Sequence, residues 1–225
     1  EAIHGTPLTP LQQRILRENL RSIARGNTGP ITLTTLLEAL ENFERRRPGK
    51  IDWTQSNEAI ISRIQPLTTG RLRRAFNGHQ NSFQPQDLFN ENMTIVDLSP
   101  LLSDEAKTLF SILLSRNLYD YTKEELNETT NLRLAVIIDE AQHAAPQITH
   151  METTAQQGII ERYALELRKY GIGLIAIASR PALLSKNIIA NANTIICHRL
   201  IWEEDVNRVA DTLGLINPKT GTHDE

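Results

Sequence analysis

The sequence predicts an α/β protein in which a parallel β-sheet flanked by helices follows an all-helical region. Residues 1–90 contain capped, amphipathic helical segments and no strand-like run. From about residue 92, short apolar runs rich in β-branched residues alternate with helical segments. Strands separated by helices of this length require right-handed crossovers, which make neighbouring strands parallel. We therefore predict a helical subdomain over residues 1–90 and an α/β core over residues 91–225.

The helices of the first region are marked by their capping residues. Thr9-Pro10-Leu11-Gln12 offers an N-cap, a proline at the first helical position and a glutamine at N3. Residues 35–38, Thr-Leu-Leu-Glu, predict a second capping box, and the basic run 45–47 before Pro-Gly predicts the end of that helix. A third helix is predicted over about 57–64, and a fourth contains the arginines of 71–74.

The α/β region is predicted from its change in hydrophobic period. The expected elements, in order, are a strand over 93–98, a helix capped by 103–105, a strand over 132–138, a helix from 154, a strand over 172–178, a strand over 193–200 and a helix over 202–213. Nearly unbroken apolar runs of this kind are typical of strands that are buried on both faces of a parallel sheet.

Two adjacent acids end the second of these strands. Asp139 and Glu140 follow an apolar run, and open parallel sheets bind ligands at the carboxyl ends of their strands. Two carboxylates there are costly in an apolar setting unless a cation or an activated water uses them. In nucleotide hydrolases this is the Walker B arrangement, in which the first acid holds Mg²⁺ and the second polarises the attacking water. A polar turn that simply closes the strand is the competing interpretation.

The glycine-rich phosphate loop of such hydrolases, G-x-x-x-x-G-K-[ST], does not occur in the sequence. Gly49-Lys50 is the only Gly-Lys pair, and it is followed by Ile51. The chain opens directly into helices, and Glu1 is not an initiator methionine. We therefore expect the C-terminal part of a longer ATPase, with a chain that lacks nucleotide chemistry of its own as the alternative.

Three segments resemble one family of motor proteins. Residues 166–181, Glu-Leu-Arg-Lys-Tyr-Gly through Ser-Arg-Pro, resemble the "EGRKFG…SQRP" region of HerA-type DNA translocases, within the HerA/FtsK superfamily of RecA-like hexameric motors. Residues 193–200, followed by Asp205, resemble that family's "NT…RL" strand. The helices before Met93 and the segment 95–99 resemble the helical insertion and second strand, so that the likeness covers about 8–215.

The resemblance implies a RecA-like parallel sheet, preceded by an all-helical insertion, in an ATP-driven translocase or helicase for double-stranded DNA. Such motors work as hexameric rings with ATP and Mg²⁺ between subunits, and a partner nuclease or effector commonly accompanies them. By position, Asp139 would hold Mg²⁺ and Glu140 would orient and activate water.

The resemblance also assigns electrostatic roles to basic residues. Arg168 is the best candidate for an arginine that reaches into a neighbouring subunit's site, where its planar fork can neutralise charge on the transferring phosphate. Lys169, Arg180 and Arg199 are weaker candidates. Each also has a purely structural explanation. Arg168 and Lys169 are predicted at the end of a helix, where cations are favoured anyway. Arg180 is compatible with an ion pair in a loop, and Arg199 with the solvated end of a strand.

One position departs from the family's pattern. Where the family often carries glutamine as a γ-phosphate sensor, this sequence has Ser179. A serine hydroxyl can still bond a phosphate or water, but with a shorter reach.

Alternative functions remain open at the level of sequence. A type IV secretion or conjugation ATPase shares the helical insertion and Walker B strand, and a non-hydrolytic RecA-like assembly module would account for the missing phosphate loop. A metal-dependent nuclease using Asp97, Asp139 and Glu140 is less favoured, because no further carboxylate or lysine completes a two-metal set.

The amino-acid composition says more about the cellular compartment of the protein than about its function. The 225 residues are 40% hydrophobic and carry a net charge of −3. Residues 1–90 have 12 basic against 8 acidic side chains and residues 91–225 have 12 against 19, which indicates two regions with different roles. No apolar run has the about 20 residues of a membrane span, no leader is visible, and the lone Cys197, expected in a buried strand, excludes an internal disulfide. We expect a cytoplasmic protein without a membrane contact.

Overall fold

The computed structural model describes residues 8–26, 29–46, 51–78, 83–147 and 158–215, with the side chains of 44–46 and 51–52 left aside. This part of the chain is mostly helical and contains one small parallel sheet of two strands. The helices and strands are α1 (Pro10–Gly26), α2 (Leu33–Arg46), α3 (Ile51–Ile64), α4 (Leu72–Phe76), α5 (Asp87–Asn90), α6 (Asp104–Glu125), β1 (Leu134–Ile138), α7 (Ala141–Ala144), α8 (Ile159–Glu166), β2 (Ile172–Ala176), α9 (Lys186–Ala190) and α10 (Glu203–Leu213). Short 3₁₀ turns cover Gln65–Thr68, Leu167–Tyr170 and Pro181–Leu183.

The chain divides into two compact units, one formed by Glu1–Gln84 with Ile95–Phe110 and the other by Pro85–Thr94 with Ser111–Glu225. The proposed boundary at residue 90 stays a prediction. None of the helices in the described ranges has both the length and the apolar character that crossing a membrane requires.

The first unit is built on the apolar faces of α1, α2 and α3. Its buried core consists of Ile15, Ile23, Leu36, Leu40 and Ile60. In α1 and α2 the spacing of these side chains follows the 3.6-residue period, which places them on one face of each helix. The predicted helical character of this region is thus confirmed for the described residues.

The capping box at the start of α1 is confirmed, whereas the one predicted for α2 is wrong by one turn. Gln12 N–H donates to Thr9 Oγ1 at 3.3 Å, and Thr9 N–H donates to Gln12 Oε1 at 3.0 Å. In α2 the cap is Thr32, whose Oγ1 accepts from Thr35 N–H at 3.2 Å. Capping at Thr32 adds a further helical turn, including the bond from Leu36 N–H to Thr32 O at 3.1 Å, which capping at Thr35 would forgo.

Of the other helix predictions, some are confirmed and one start is wrong. α3 begins at Ile51 rather than near residue 57. α6 begins after Ser103, whose hydroxyl accepts from Ala106 N–H at 3.1 Å as the predicted cap requires. α10 matches its predicted range within one residue. The start predicted at 154 and the side chains of the basic run 45–47 lie outside the described residues.

β1 and β2 pair in parallel over their full length, with Leu134 opposite Ile172 and Ile138 opposite Ala176. Gly171 allows the chain to enter β2. Its φ of +78° lies in the left-handed region, and a Cβ at this position would come within 2.3 Å of Asn131 O. The predicted parallel pairing of these two segments is therefore confirmed.

The strands predicted over 93–98 and 193–200 do not form. Neither segment is assigned as a strand, and among the described residues neither pairs with β1 or β2. Met93, Ile95 and Ile196 are 77%, 78% and 83% exposed. An apolar, β-branched sequence favours extended backbone, but a strand also needs a neighbour for its N–H and C=O groups. A full RecA-like sheet is consequently not seen, and Cys197, predicted in a buried strand, is exposed.

The prediction that β1 is buried on both faces is also wrong. Alternate residues pack inward, where Val136 and Leu174 lie beside the buried Tyr163 and Leu167. The opposite face is open, since Ile137 is 62% exposed and Ile175 is 50% exposed. Within the described residues, helices cover this sheet on one side only.

Candidate functional site

The carboxyl ends of β1 and β2 lie at the same edge of the sheet and bring three of the predicted site residues together. The ladder continues past both strands, since Ile177 N–H donates to Ile138 O at 2.9 Å and Ala141 N–H donates to Ile177 O at 2.8 Å. These bonds hold the turn after β1 against the turn after β2. Ser179 Oγ donates to Glu140 Oε2 at 2.8 Å across this edge.

Glu140 has an unusual backbone conformation. Its φ of 50° is the one positive φ of a non-glycine residue in the described part of the chain. A left-handed conformation costs about 1–2 kcal/mol in residues with a Cβ and is found where the surrounding structure imposes it, often at functional sites. Here it turns the chain from β1 directly into α7.

Hydrogen bonds keep the Glu140 carboxylate ionised. The bond donated by Ser179 and a second bond donated by Gln142 Nε2 both lower the pKa of Glu140 below its usual value, and the charge of His143 adds to the effect. Glu140 itself is exposed, and its second carboxylate oxygen has no hydrogen-bond partner among the described residues.

Asp139 stands at the same edge with an exposed side chain. Its Oδ1 accepts from Glu140 N–H at 3.0 Å, which leaves the other oxygen without a described partner. No group of three His, Cys, Asp or Glu side chains among the described residues could hold a metal ion. This donor set does not fit an all-protein metal cage, but it fits Mg²⁺, which is commonly held by one or two carboxylates together with water and phosphate.

Gln142 belongs to this site although sequence reasoning missed it. Its Nε2 donates to Glu140 Oε2 and, at 3.1 Å, to Ser179 Oγ. The residue is 6% exposed, and its Oε1 is buried without a hydrogen-bond partner in the described structure. The sequence carries no signal for this role, because a glutamine two residues after the acid pair could equally lie on the surface.

Arg168 and Lys169 lie away from this edge. They form part of the 3₁₀ turn before β2, whereas Ser179 follows β2, and a five-residue strand spans about 16 Å. Arg168 is exposed and has no ion pair with any described residue. Lys169 Nζ lies 2.7 Å from Glu128 Oε1, and this hydrogen bond raises the pKa of Lys169.

Arg180 is held by the start of α10. Its Nε donates to Asp205 Oδ2 at 2.7 Å, and its guanidinium lies 5.2 Å from the centre of the Trp202 ring. Asp205 is 1% exposed and also accepts from Ala182 N–H at 2.8 Å. This is the loop ion pair that the sequence left open as the alternative for Arg180.

Arg199 lies in the segment 193–200, which forms no strand, and is exposed. Among the described residues, Arg199 has no hydrogen bond or ion pair with the Glu140 site or with any other acid. Of the predicted site residues, the structure thus brings together Asp139, Glu140 and Ser179.

Comparisons with known proteins support a distant relationship. No protein-family model matches the chain. The chain is 25% identical to the DNA double-strand break repair helicase HerA of Pyrococcus furiosus over 220 aligned residues, which cover 80% of this chain and 39% of that protein. It is 26% identical to the protein of the same name from Sulfolobus acidocaldarius over 217 residues, covering 90% of this chain and 42% of that protein. The chain therefore spans about two fifths of the length of these relatives and is HerA-like at a distant level.

Proposed function

We propose that the chain is the C-terminal part of an ATP-hydrolysing, ring-forming translocase or helicase for double-stranded DNA, in which Asp139 and Glu140 form the Walker B pair. The observation that carries the proposal is the carboxylate of Glu140, held at the carboxyl edge of a parallel sheet by Ser179. Ligands of open α/β sheets bind at this edge. The distant similarity to DNA repair helicases supports the same conclusion.

The two acids have separate chemical tasks in this proposal. Bound Mg²⁺ would neutralise charge on the phosphates, and the open oxygen of Asp139 would hold it directly or through water. Glu140 is ionised near neutral pH, which its lowered pKa favours further, and its other oxygen would accept a hydrogen bond from the attacking water. The phosphate loop would come from outside this sequence.

Arg168 is assigned to a neighbouring subunit's site rather than to its own. The structure separates it from Glu140 by the length of β2, and its exposed guanidinium has no described acidic partner. In the proposed ring, Arg168 would reach the nucleotide of the neighbouring subunit across the subunit contact. Lys169, Arg180 and Arg199 are retained as weaker electrostatic candidates, and Arg180 would first have to leave Asp205.

A row of arginines on α1 favours DNA as the cargo. We name Arg14, Arg17, Arg21 and Arg25 the basic stripe. At 100° per residue these four positions fall within an arc of about 80° on the helix. All four are exposed, and α1 contains a single acid, Glu18, which pairs with Arg14 at 2.9 Å. Such a stripe matches the phosphate charge of a duplex.

The decisive experiment compares DNA-stimulated ATP hydrolysis by the full-length protein and its Glu140→Gln variant. We expect turnover to fall on the order of 10²-fold or more, because the amide cannot accept the proton of water. Glu91→Gln is the matched control, since Glu91 is also an exposed glutamate and has no contact with the site. Equal turnover in wild type and Glu140→Gln would contradict the proposal.

The second candidate is a non-hydrolytic RecA-like assembly module. The observation that favours it is the absence of G-x-x-x-x-G-K-[ST] from these 225 residues. The sequence upstream in the full gene separates the candidates, because a strand followed directly by that motif removes the module from consideration.

A further inference from the structure

The hydrogen-bonding partners of Gln142 determine which end of its amide is the NH₂ group. Gln142 lies in α7, immediately after the left-handed turn at Glu140. Its Nε2 faces Glu140 Oε2, and an ionised carboxylate can only accept hydrogen bonds. The alternative amide orientation would place two acceptor oxygens against each other. Nε2 is therefore the donor both to Glu140 Oε2 and to Ser179 Oγ, which lies 3.1 Å away.

The three side chains form a closed triangle around one oxygen atom. Ser179 Oγ accepts from Gln142 and donates to Glu140 Oε2 at 2.8 Å, so that this oxygen receives two hydrogen bonds. The other oxygen of Glu140 has no partner in the described part of the chain. The carboxylate is thereby fixed at one end and open at the other, and rotating it would break both bonds together.

Packing alone does not account for a glutamine at this position. A buried amide is costly unless its polar atoms are paired, and Gln142 Oε1 is buried without a partner. An apolar side chain of similar size would avoid this cost. The contacts made by Nε2 are therefore the reason that the structure supplies for a buried amide beside the acid pair.

We infer that Gln142 is a positioning residue for the Glu140 carboxylate, which it holds in a fixed direction by bridging Glu140 and Ser179. This inference rests on the proposed ATPase function. Gln142 contacts no reacting atom in this assignment and acts only through Glu140. Its orphaned Oε1 can be satisfied only by a hydrogen-bond donor such as water, not by an unprotonated phosphate oxygen.

The test uses Gln142→Leu in the full-length protein, with kcat and KM of DNA-stimulated ATP hydrolysis as readouts. We expect kcat to fall about tenfold with KM for ATP unchanged, because the loss affects a carboxylate that activates water. A merely structural glutamine would show the same loss of kcat in a background that lacks the Glu140 carboxylate.

A double variant shows whether Gln142 acts through Glu140. Adding Gln142→Leu to Glu140→Gln should cause no further loss of kcat, because the carboxylate that it positions is already absent. A further loss of the same size as in the wild-type background would overturn the inference. If Gln142→Leu does not fold, Gln142→Asn provides the same readouts, because its shorter amide cannot reach both acceptors.

The two proposals fail in distinguishable ways. Full activity of Glu140→Gln would overturn the ATPase assignment and this inference with it. A strong loss in Glu140→Gln together with wild-type kcat in Gln142→Leu would overturn only the positioning role.

Discussion

Glu140 concentrates three features in one residue: a left-handed backbone, an exposed carboxylate and two donors bound to the same oxygen. The backbone conformation is unfavourable for a residue with a Cβ, so it persists because the ladder bonds beyond β1 and β2 impose it. An acid that merely ended a strand in solvent would need neither the strained turn nor the two donors. These contacts therefore favour the Walker B interpretation over the polar turn.

At the residue scale, Ser179→Ala should raise the pKa of Glu140. The hydroxyl is the largest of the causes that lower this pKa from its usual 4.5, so removing it shifts titration to higher pH. In the wild type the lowered pKa contributes stability that is present above pH 4.5 and is lost as pH falls through the folded value. A ¹³C NMR titration of the Glu140 carboxyl measures the shift directly.

The same titration in Ser99→Ala supplies the control, because Ser99 lowers the pKa of Asp97 and has no contact with Glu140. An unchanged Glu140 titration in Ser179→Ala would contradict the assigned hydrogen bond. The prediction concerns one side chain and does not depend on whether the protein hydrolyses ATP.

Arg180 illustrates how partners decide the role of a charged residue. The sequence makes Arg180 a candidate for neutralising charge on a phosphate. In the structure, its guanidinium instead lies against Asp205, which is almost completely buried. Removing Arg180 would leave the buried charge of Asp205 uncompensated. This contact therefore holds the loop after β2 against α10. Glu204, at 3.5 Å and 79% exposed, adds little because solvent screens it.

At the element scale, the basic stripe of α1 should contribute to duplex binding by the full-length protein. Replacing Arg17, Arg21 and Arg25 by glutamine should weaken binding to duplexes of any sequence and flatten the salt dependence by about 0.9 per lost phosphate contact. Binding measured across a salt series, for example by fluorescence anisotropy, gives both values. Replacing Arg116, which pairs with Asp120 on α6, provides a matched control that keeps the stripe intact.

An unchanged salt slope in the triple variant would show that the stripe is a solvated helix face. Salt-independent binding by the wild type would instead favour the secretion ATPase, whose cargo is protein, over a DNA motor.

Helices and strands differ in how far their sequences determine them. The Thr9 box and the Ser103 cap were predictable because a helix satisfies its backbone locally and its caps lie within four residues. The segments 93–98 and 193–200 have the composition of strands, yet each lacks a described neighbour to pair with. A strand depends on residues distant in sequence, so its composition alone cannot predict pairing.

At the scale of the whole molecule, activity should require Arg168 and Glu140 from adjacent subunits. Arg168→Ala and Glu140→Gln should each strongly reduce hydrolysis, but mixed rings should regain part of the wild-type rate, because some contacts then join an intact Arg168 to an intact Glu140. ATP hydrolysis by the two full-length variants, mixed over a range of ratios, measures this. Mixtures that stay inactive after subunit exchange would contradict a shared site.

The sequence by itself determined the helical character of the first region, the parallel pairing of β1 with β2 and the position of the acid pair at a strand's carboxyl end. These features depend on hydrophobic period, local caps and the direction of a crossover, all of which are determined by residues that lie close together in the sequence. The tertiary structure decided which face of β1 is covered, where Arg180 finds its partner and why Gln142 belongs to the site. Those outcomes depend on contacts between residues up to 39 positions apart, as between Glu140 and Ser179, and no local pattern encodes them.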